Sequence, residues 1–262
     1  MTKPAIRFDD AAAYERYMGR WSQLAGDVFL DWLAPAAGLR WLDVGCGNGA
    51  FTERLVARCA PSLVEGVDPS ENQIAHARSR LVLPQVRLRI GDAQSLPYPA
   101  DSFDIAVMPL VIFFVPDPAR GVAEMVRVVR PGGQVAAYGW DMAGGGFPYA
   151  GIQQALRALG VDVSSPPSPD AAGLEQLTAL WTSAGLTQVQ TREIAVQRTF
   201  DDFDDYWKVV LGAPSIASAL LGLTSGEIVR LKDAMRTTHP AGSGGRITLS
   251  GRANAVRGVV AS

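Results

Sequence analysis

The sequence predicts an α/β fold with a mostly parallel sheet and helices on both faces, and three observations lead there. Trp41-Leu42-Asp43-Val44 is a short apolar run that breaks into Gly45, Gly47 and Gly49 before a helical pattern over residues 51–58. That is a strand, a tight glycine loop and a helix start. A second short strand over residues 62–68 ends in Asp68, about 20 residues past the glycines, where α/β nucleotide folds set a carboxylate for ribose hydroxyls. Strand and helix patterns then alternate over residues 40–139, which implies right-handed crossovers within one parallel sheet.

Composition narrows the class. The chain has 262 residues, a formal net charge of −2 and no long Lys/Arg cluster, so no nucleic-acid partner is expected; small molecules are. The two cysteines, Cys46 and Cys59, have no metal-ligand or disulfide spacing, so no metal is expected and the cytoplasm is the default compartment. Residues 1–10 carry Lys3 and Arg7 but no apolar segment after them, unlike a secretory signal. The charge-free stretch 209–226 is interrupted by Gly212, Pro214 and Gly222, which argues against a membrane span.

Taken in order, residues 9–33 place Tyr14, Tyr17, Met18, Trp21, Leu24, Val28, Phe29 and Trp32 three and four apart, an amphipathic helix with a break expected near Gly26. It reads either as a packed helix with a charged outer face or as a lid. In the glycine loop, backbone free to take positive φ lets a ligand approach where no Cβ intervenes. Gly45-x-Gly47-x-x-Ala50 also fits a dinucleotide fingerprint. However, Asp43 lies two residues before the first glycine, where a negative charge repels a pyrophosphate and suits an ammonium group. Asp68 suits a ribose, or together with Ser70 caps a helix from Glu71. A third strand over 86–90 stops at Gly91-Asp92-Ala93-Gln94, and a turn-rich loop over 96–104 leads to a fourth over 105–109. A helix over 118–129 ends at Arg130-Pro131-Gly132-Gly133 before a fifth strand over 134–139. A helix over 174–184 and strands over 187–198 and 246–260 follow. Two stretches lie outside this alternation: 143–172, with a helix over 149–159, and 201–245, with helices over 203–211 and 224–237.

The run from Asp43 to Gly49 resembles motif I of the class I S-adenosylmethionine-dependent methyltransferases, an acid followed by Gly-x-Gly-x-Gly. Asp68, Gly91-Asp92-Ala93, the 96–104 loop and the Arg-Pro-Gly-Gly turn match the same family in the same order. The likeness is strong over residues 40–141 and points to the small-molecule branch that includes the ubiquinone and menaquinone methyltransferases. It implies a Rossmann-like seven-stranded sheet of order 3-2-1-4-5-7-6 with strand 7 antiparallel, in a single domain. Residues 1–38 would be lid helices, 39–142 the cofactor core, and 143–172 and 201–245 a helical cap on the acceptor side.

By the same resemblance the cofactor is S-adenosylmethionine. Asp43 and the loop Gly45, Cys46, Gly47, Asn48 and Gly49 would hold its methionine end, with Tyr17 or Arg20 of the lid reaching the carboxylate. Asp68 and Pro69 would hold the ribose, Asp92, Ala93 and Gln94 the adenine, and Met108 would lie on the fourth strand beside it. Phe113, Trp140, Phe147, Tyr149 and Trp207 either line the acceptor site or pack the additions onto the core. Many relatives carry a His after the fourth strand, whereas this chain has Ile112-Phe113-Phe114-Val115. That leaves His239 and Asp141 as candidate bases and suggests an apolar or aromatic acceptor. The alternatives are a non-catalytic S-adenosylmethionine-binding protein and a nicotinamide-dependent oxidoreductase.

Overall fold

The computed structural model describes residues 15–262; Tyr14 and the other N-terminal expectations before it lie outside the described residues. Glu15–Gly19 form a π-helical turn that runs into α1 (Arg20–Leu33). The expected break at Gly26 does not occur. A Cβ on Gly26 would lie 2.9 Å from Phe51 Cδ2 and 3.4 Å from the Tyr138 hydroxyl, so the glycine marks a close approach of the helix to its neighbour. Phe51 is itself wedged against Phe29 and Tyr138, with ring centroids 6.2 Å away in each case. Gly26→Ala should therefore lower stability by ~1–3 kcal/mol through overpacking, against the ~1 kcal/mol that alanine ordinarily gains in a helix. Thermal unfolding of the variant tests this, and a raised Tm would mean that the Phe51 ring yields.

The core follows as β1 (Arg40–Val44), α2 (Ala50–Cys59), β2 (Leu63–Asp68), α3 (Glu71–Arg80), β3 (Val86–Ile90), β4 (Phe103–Pro109), α4 (Pro118–Val128) and β5 (Val129–Trp140). After it come α5 (Ala150–Ala158), α6 (Leu174–Ser183), β6 (Thr187–Phe200), α7 (Phe203–Leu211), α8 (Pro214–Leu220), α9 (Ser225–Thr238) and β7 (Ile247–Val259). The seven strands form one sheet of order β3-β2-β1-β4-β5-β7-β6. Only β7 is antiparallel, to β5 and β6, as the family resemblance implies.

Three local departures have simple causes. β5 begins at Val129, ahead of the Arg-Pro-Gly-Gly turn, because Val129 already pairs with Phe103; pairing resumes at Gln134 opposite Ile105, with Gly132 at φ 74°. β6 runs on to Phe200 because β7 supplies partners along that whole length. Pro214 starts α8 where a break was expected, since proline fits the first helical turn, whose N–H would be unpaired in any case.

α1 and α2 cover one face of the sheet, and α4 and α6 the other. Arg54 grips both oxygens of Asp27 at 2.8 and 2.7 Å, and Arg58 pairs with Asp31, tying α1 to α2. At the start of α1, Trp21 meets Trp140 edge to face at 6.1 Å. The beginning of α1 thus sits at the carboxyl edge of the sheet, where α/β folds bind ligands. Among the described residues no helix is long and apolar enough to cross a membrane.

Candidate functional site

The glycine loop between β1 and α2 has all three glycines in the left-handed region: Gly45 at φ 75°, Gly47 at 52° and Gly49 at 82°. Their surroundings differ. A Cβ at Gly45 would fall 2.5 Å from Val111 Cγ2 and one at Gly49 2.6 Å from Leu81 Cδ1, while one at Gly47 would meet nothing within 4 Å. Gly45 and Gly49 are thus also demanded by packing, and Gly47 turns bare backbone toward open space.

The loop's N–H groups are largely spent on the protein. Gly45 and Cys46 donate to the Val67 carbonyl at 2.7 and 3.0 Å, Gly49 to the Cys46 carbonyl at 2.9 Å, Gly47 to Asp68 Oδ2 at 3.0 Å and Ala50 to Asn48 Oδ1 at 3.2 Å. A pyrophosphate would find few donors here and two carboxylates instead, which is the wrong electrostatics for a dinucleotide.

Asp43 lies on β1 and is fully buried. Its Oδ2 accepts from the Thr52 hydroxyl at 2.6 Å, and its Oδ1 is a buried acceptor with no partner. Burial pushes its pKa from 3.8 up to about 7; the Thr52 bond opposes this and nearby Asp68 adds to it. Asp68, at the end of β2, accepts from Gly47 N–H with one oxygen and from Ser70 N–H at 2.8 Å with the other. Its pKa is raised by burial and held back by those two bonds. Asp68 therefore fixes the glycine loop as well as offering remaining lone pairs to a ligand. Ser70 caps α3 by accepting from Gln73 N–H.

Beyond β3, Asp92 is exposed and accepts from Gln94 N–H at 2.8 Å. This tight turn is buttressed from α4: Asp117 N–H donates to Gln94 Oε1 at 3.0 Å and Arg120 Nε to the Gln94 carbonyl at 2.8 Å. Sequence reasoning missed these supports and Thr52, because nothing in the local pattern names a partner from another element.

Several expected contacts are revised. The Cys46 thiol points into a small core of Ile74, Ala77, Leu81 and Leu88, Asn48 is buried as a cap for Ala50, and Met108 is fully buried beneath α4, facing Gly121. None of these three presents its side chain to the loop's open side. Arg20 is exposed and donates to Gln23. Tyr17 is buried, stacked on Tyr149 at 4.4 Å and 17°. Phe113 packs against Gly139 of β5, and Trp207 is buried, stacked on Phe203 of its own helix at 6.1 Å. Trp140 and Tyr149 are buried and Phe147 is half-buried, and all three join Tyr17 and Trp21 in one aromatic cluster.

The candidate bases are both engaged. Asp141 pairs with Arg252 at 2.6 Å and accepts from Gly144 N–H at 2.9 Å. His239 stacks on Tyr206 at 5.2 Å, with Nδ1 within 3.1 Å of the Met235 carbonyl. Separately, a cavity of about 670 Å³ opens between α4 and α6, but it includes no residue of the glycine loop and neither Asp68 nor Asp92.

Comparison with known proteins agrees with this geometry. Residues 42–137 match the family model described as a methyltransferase domain. The chloroplastic 2-methyl-6-phytyl-1,4-hydroquinone methyltransferase 2 of Oryza sativa subsp. japonica is 39% identical over 125 residues, 46% of this chain and 35% of that protein. The ubiquinone/menaquinone biosynthesis C-methyltransferase UbiE of Dinoroseobacter shibae is 31% identical over 144 residues, 53% of this chain and 56% of that protein. The chain thus spans about a third to somewhat over half the length of these curated relatives. Haemonchus contortus phosphoethanolamine N-methyltransferase 2, solved with phosphomonomethylethanolamine and S-adenosylhomocysteine, superposes with a TM-score of 0.62 at 17% identity, covering 98% of this chain and 59% of that one. At that identity the likeness concerns the fold. Matched residues, sheet order and loop geometry agree: residues 42–137 are similar to a methyltransferase domain, set in a sheet of order β3-β2-β1-β4-β5-β7-β6.

Proposed function

We propose that the protein transfers a methyl group from S-adenosylmethionine to a small apolar or aromatic acceptor. The observation that carries the cofactor is the glycine loop: most of its N–H groups are turned inward, its one unobstructed glycine is Gly47, and on the strand leading into it Asp43 Oδ1 is buried without a partner. A cationic amino acid moiety suits that acceptor, and Asp68 and the Asp92 turn suit a ribose and an adenine. Bound there, the sulfonium supplies an electrophilic methyl carbon. The chain's own part is to hold donor and acceptor in line, which can supply much of the acceleration.

The acceptor reading draws on the aromatic cluster, on the cap made by residues 143–172 and 201–245, and on the hydroquinone and quinone methyltransferases among the relatives. Because Phe113 and Phe114 stand where many relatives carry a His, and Asp141 is paired with Arg252, the acceptor should already be nucleophilic, or readily ionised, rather than need a strong base. Both cysteines are buried and unpaired, which fits a reducing compartment such as the cytoplasm.

Incubation with methyl-labelled S-adenosylmethionine and a metabolite extract, followed by mass, tests the activity; no transfer of label to any small molecule overturns it. Asp68→Ala should weaken S-adenosylhomocysteine binding by ~1.5–3 kcal/mol, the worth of hydrogen bonds to a charged group, with a further loss because Gly47 N–H is freed. Calorimetric titration measures it, and unchanged affinity would remove Asp68 from the site.

A further inference from the structure

The turn after β3 is held from another element, and Gln94 is the residue through which it is held. α4 is capped by Asp117, whose carboxylate accepts from Arg120 N–H at 3.1 Å. In a capping box the third helical residue is Glu or Gln and accepts the N–H of the cap in return. Here that residue is Arg120, which has no acceptor to offer. Gln94 supplies one instead: Asp117 N–H donates to Gln94 Oε1 at 3.0 Å. Arg120 turns outward to the same residue, its Nε donating to the Gln94 carbonyl at 2.8 Å, so two hydrogen bonds clamp the turn to the start of the helix.

The clamp fixes which end of the Gln94 amide faces Asp92. With Oε1 committed to an N–H, Nε2 is turned to the carboxylate, 3.4 Å from Oδ1 and 3.5 Å from Oδ2. Oδ1 also accepts from Gln94 N–H at 2.8 Å, an Asx turn that any residue except proline would give at this position. That bond alone leaves the carboxylate free to rotate about its last torsion, whereas an amide straddling both oxygens restrains it. Among the described residues, every donor that reaches the Asp92 side chain belongs to Gln94. Oδ2 has only the longest of these contacts and belongs to an exposed residue, so it keeps lone pairs for a donor from outside the protein.

We propose that Gln94 is a positioning residue rather than an adenine ligand: its amide, anchored on the cap of α4, aims Asp92 Oδ2 at the exocyclic amino group of the cofactor's purine and so makes the site select an amino-purine over an oxo-purine. This rests on the reading of the Asp92 turn as the adenine end of an S-adenosylmethionine site. An oxo group in that place offers Oδ2 no proton and sets a lone pair against a negative charge. The selectivity therefore depends on how firmly the carboxylate is aimed, and that is the part Gln94 plays.

The test titrates the full chain calorimetrically with S-adenosylhomocysteine and with S-inosylhomocysteine, in which an oxo group replaces the purine amino group. Wild type should prefer S-adenosylhomocysteine by ~10-fold or more, the worth of one hydrogen bond to a charged group. Gln94→Met keeps the length of the side chain and removes its polar atoms; it should lose ~3–10-fold of that preference, with affinity for the inosyl compound nearly unchanged. In an Asp92→Ala background Gln94→Met should alter the preference no further, since Gln94 acts through Asp92 alone. Arg120→Met cuts the clamp from the helix side and gives the same readout if Gln94→Met folds poorly. The proposal is overturned if the preference survives these substitutions or is absent in wild type. It is overturned equally if both ligands weaken together, as a purely structural role requires, or if Gln94→Met acts as strongly without Asp92, as direct contact with the purine requires. Absence of S-adenosylhomocysteine binding in wild type would instead sink the cofactor reading on which the proposal stands.

Discussion

Gly47→Val is expected to fold and to lose detectable binding of S-adenosylmethionine and S-adenosylhomocysteine. Two effects act together. Gly47 sits at φ 52°, and a β-branched residue held in the left-handed region costs ~1–3 kcal/mol, enough to lower affinity by up to about a hundredfold if the loop shifts to relieve it. In addition, the new side chain projects into the space where no protein atom lies within 4 Å, which is the space the proposed ligand needs. Gly45 and Gly49 make a useful contrast, because their Cβ atoms would strike Val111 and Leu81, so substitutions there should damage the fold as well. Calorimetry with S-adenosylhomocysteine, alongside thermal unfolding, separates the cases. A Gly47→Val protein that binds normally would show that the ligand does not lie against this backbone.

The second large effect concerns Asp43 and pH. Its carboxyl, raised from 3.8 to about 7 mainly by burial, binds a proton in the folded protein over a range where the unfolded chain has released it. Stability contributed by that proton is present in full below pH ~4 and is lost as pH rises through about 7. Asp43→Asn has no charge to bury and can still accept from Thr52. The melting temperature of the variant relative to wild type should therefore climb between pH 5 and pH 8, by ~5–10 °C if the shift is fully expressed. A difference that stays flat over this range would mean that the carboxyl ionises normally.

Ligand binding should run the other way. An ammonium beside Oδ1 favours the ionised carboxylate, so binding to wild type expels a proton below pH 7. Affinity for S-adenosylhomocysteine should rise with pH up to that point, while Asp43→Asn binds weakly and with no such dependence. Wild-type affinity that falls as pH rises from 6 to 7 would place the ammonium elsewhere.

Much of the fold was legible in the residues alone, for reasons that are local. Three glycines at alternate positions, an acid ahead of them and another at the end of the next strand restrict the backbone and charge wherever the chain goes. The alternation of strand and helix patterns over residues 40–139 specified parallel pairing because crossovers have one favoured hand. The strand order and the reversed β7 came through the family resemblance carried by those same motifs.

What the pattern could not specify was the side of the loop or strand each residue faces and what meets it there. Cys46 lies in the motif yet points inward, and Met108 does the same on β4, because the neighbouring helices α3 and α4 leave apolar space behind them, while Asn48 is buried with its side chain accepting from Ala50 N–H. Gly26 looks like a helix breaker in sequence; the ring of Phe51 makes it a contact point. The aromatic cluster joins residues that lie far apart, Trp21 to Tyr149 across 128 positions, and no short-range periodicity encodes such a meeting. Asp141 likewise reads as a free carboxylate until Arg252, 111 residues away, takes it up. The sequence by itself therefore determined the class of fold and the kinds of group around the cofactor loop, since these follow from backbone freedom and charge at short range. Only the tertiary structure decided which side chains are spent on packing and which, like that of Asp43 at Oδ1, are left with an unmet hydrogen bond, because satisfaction of a buried polar group depends on partners that the fold alone brings near.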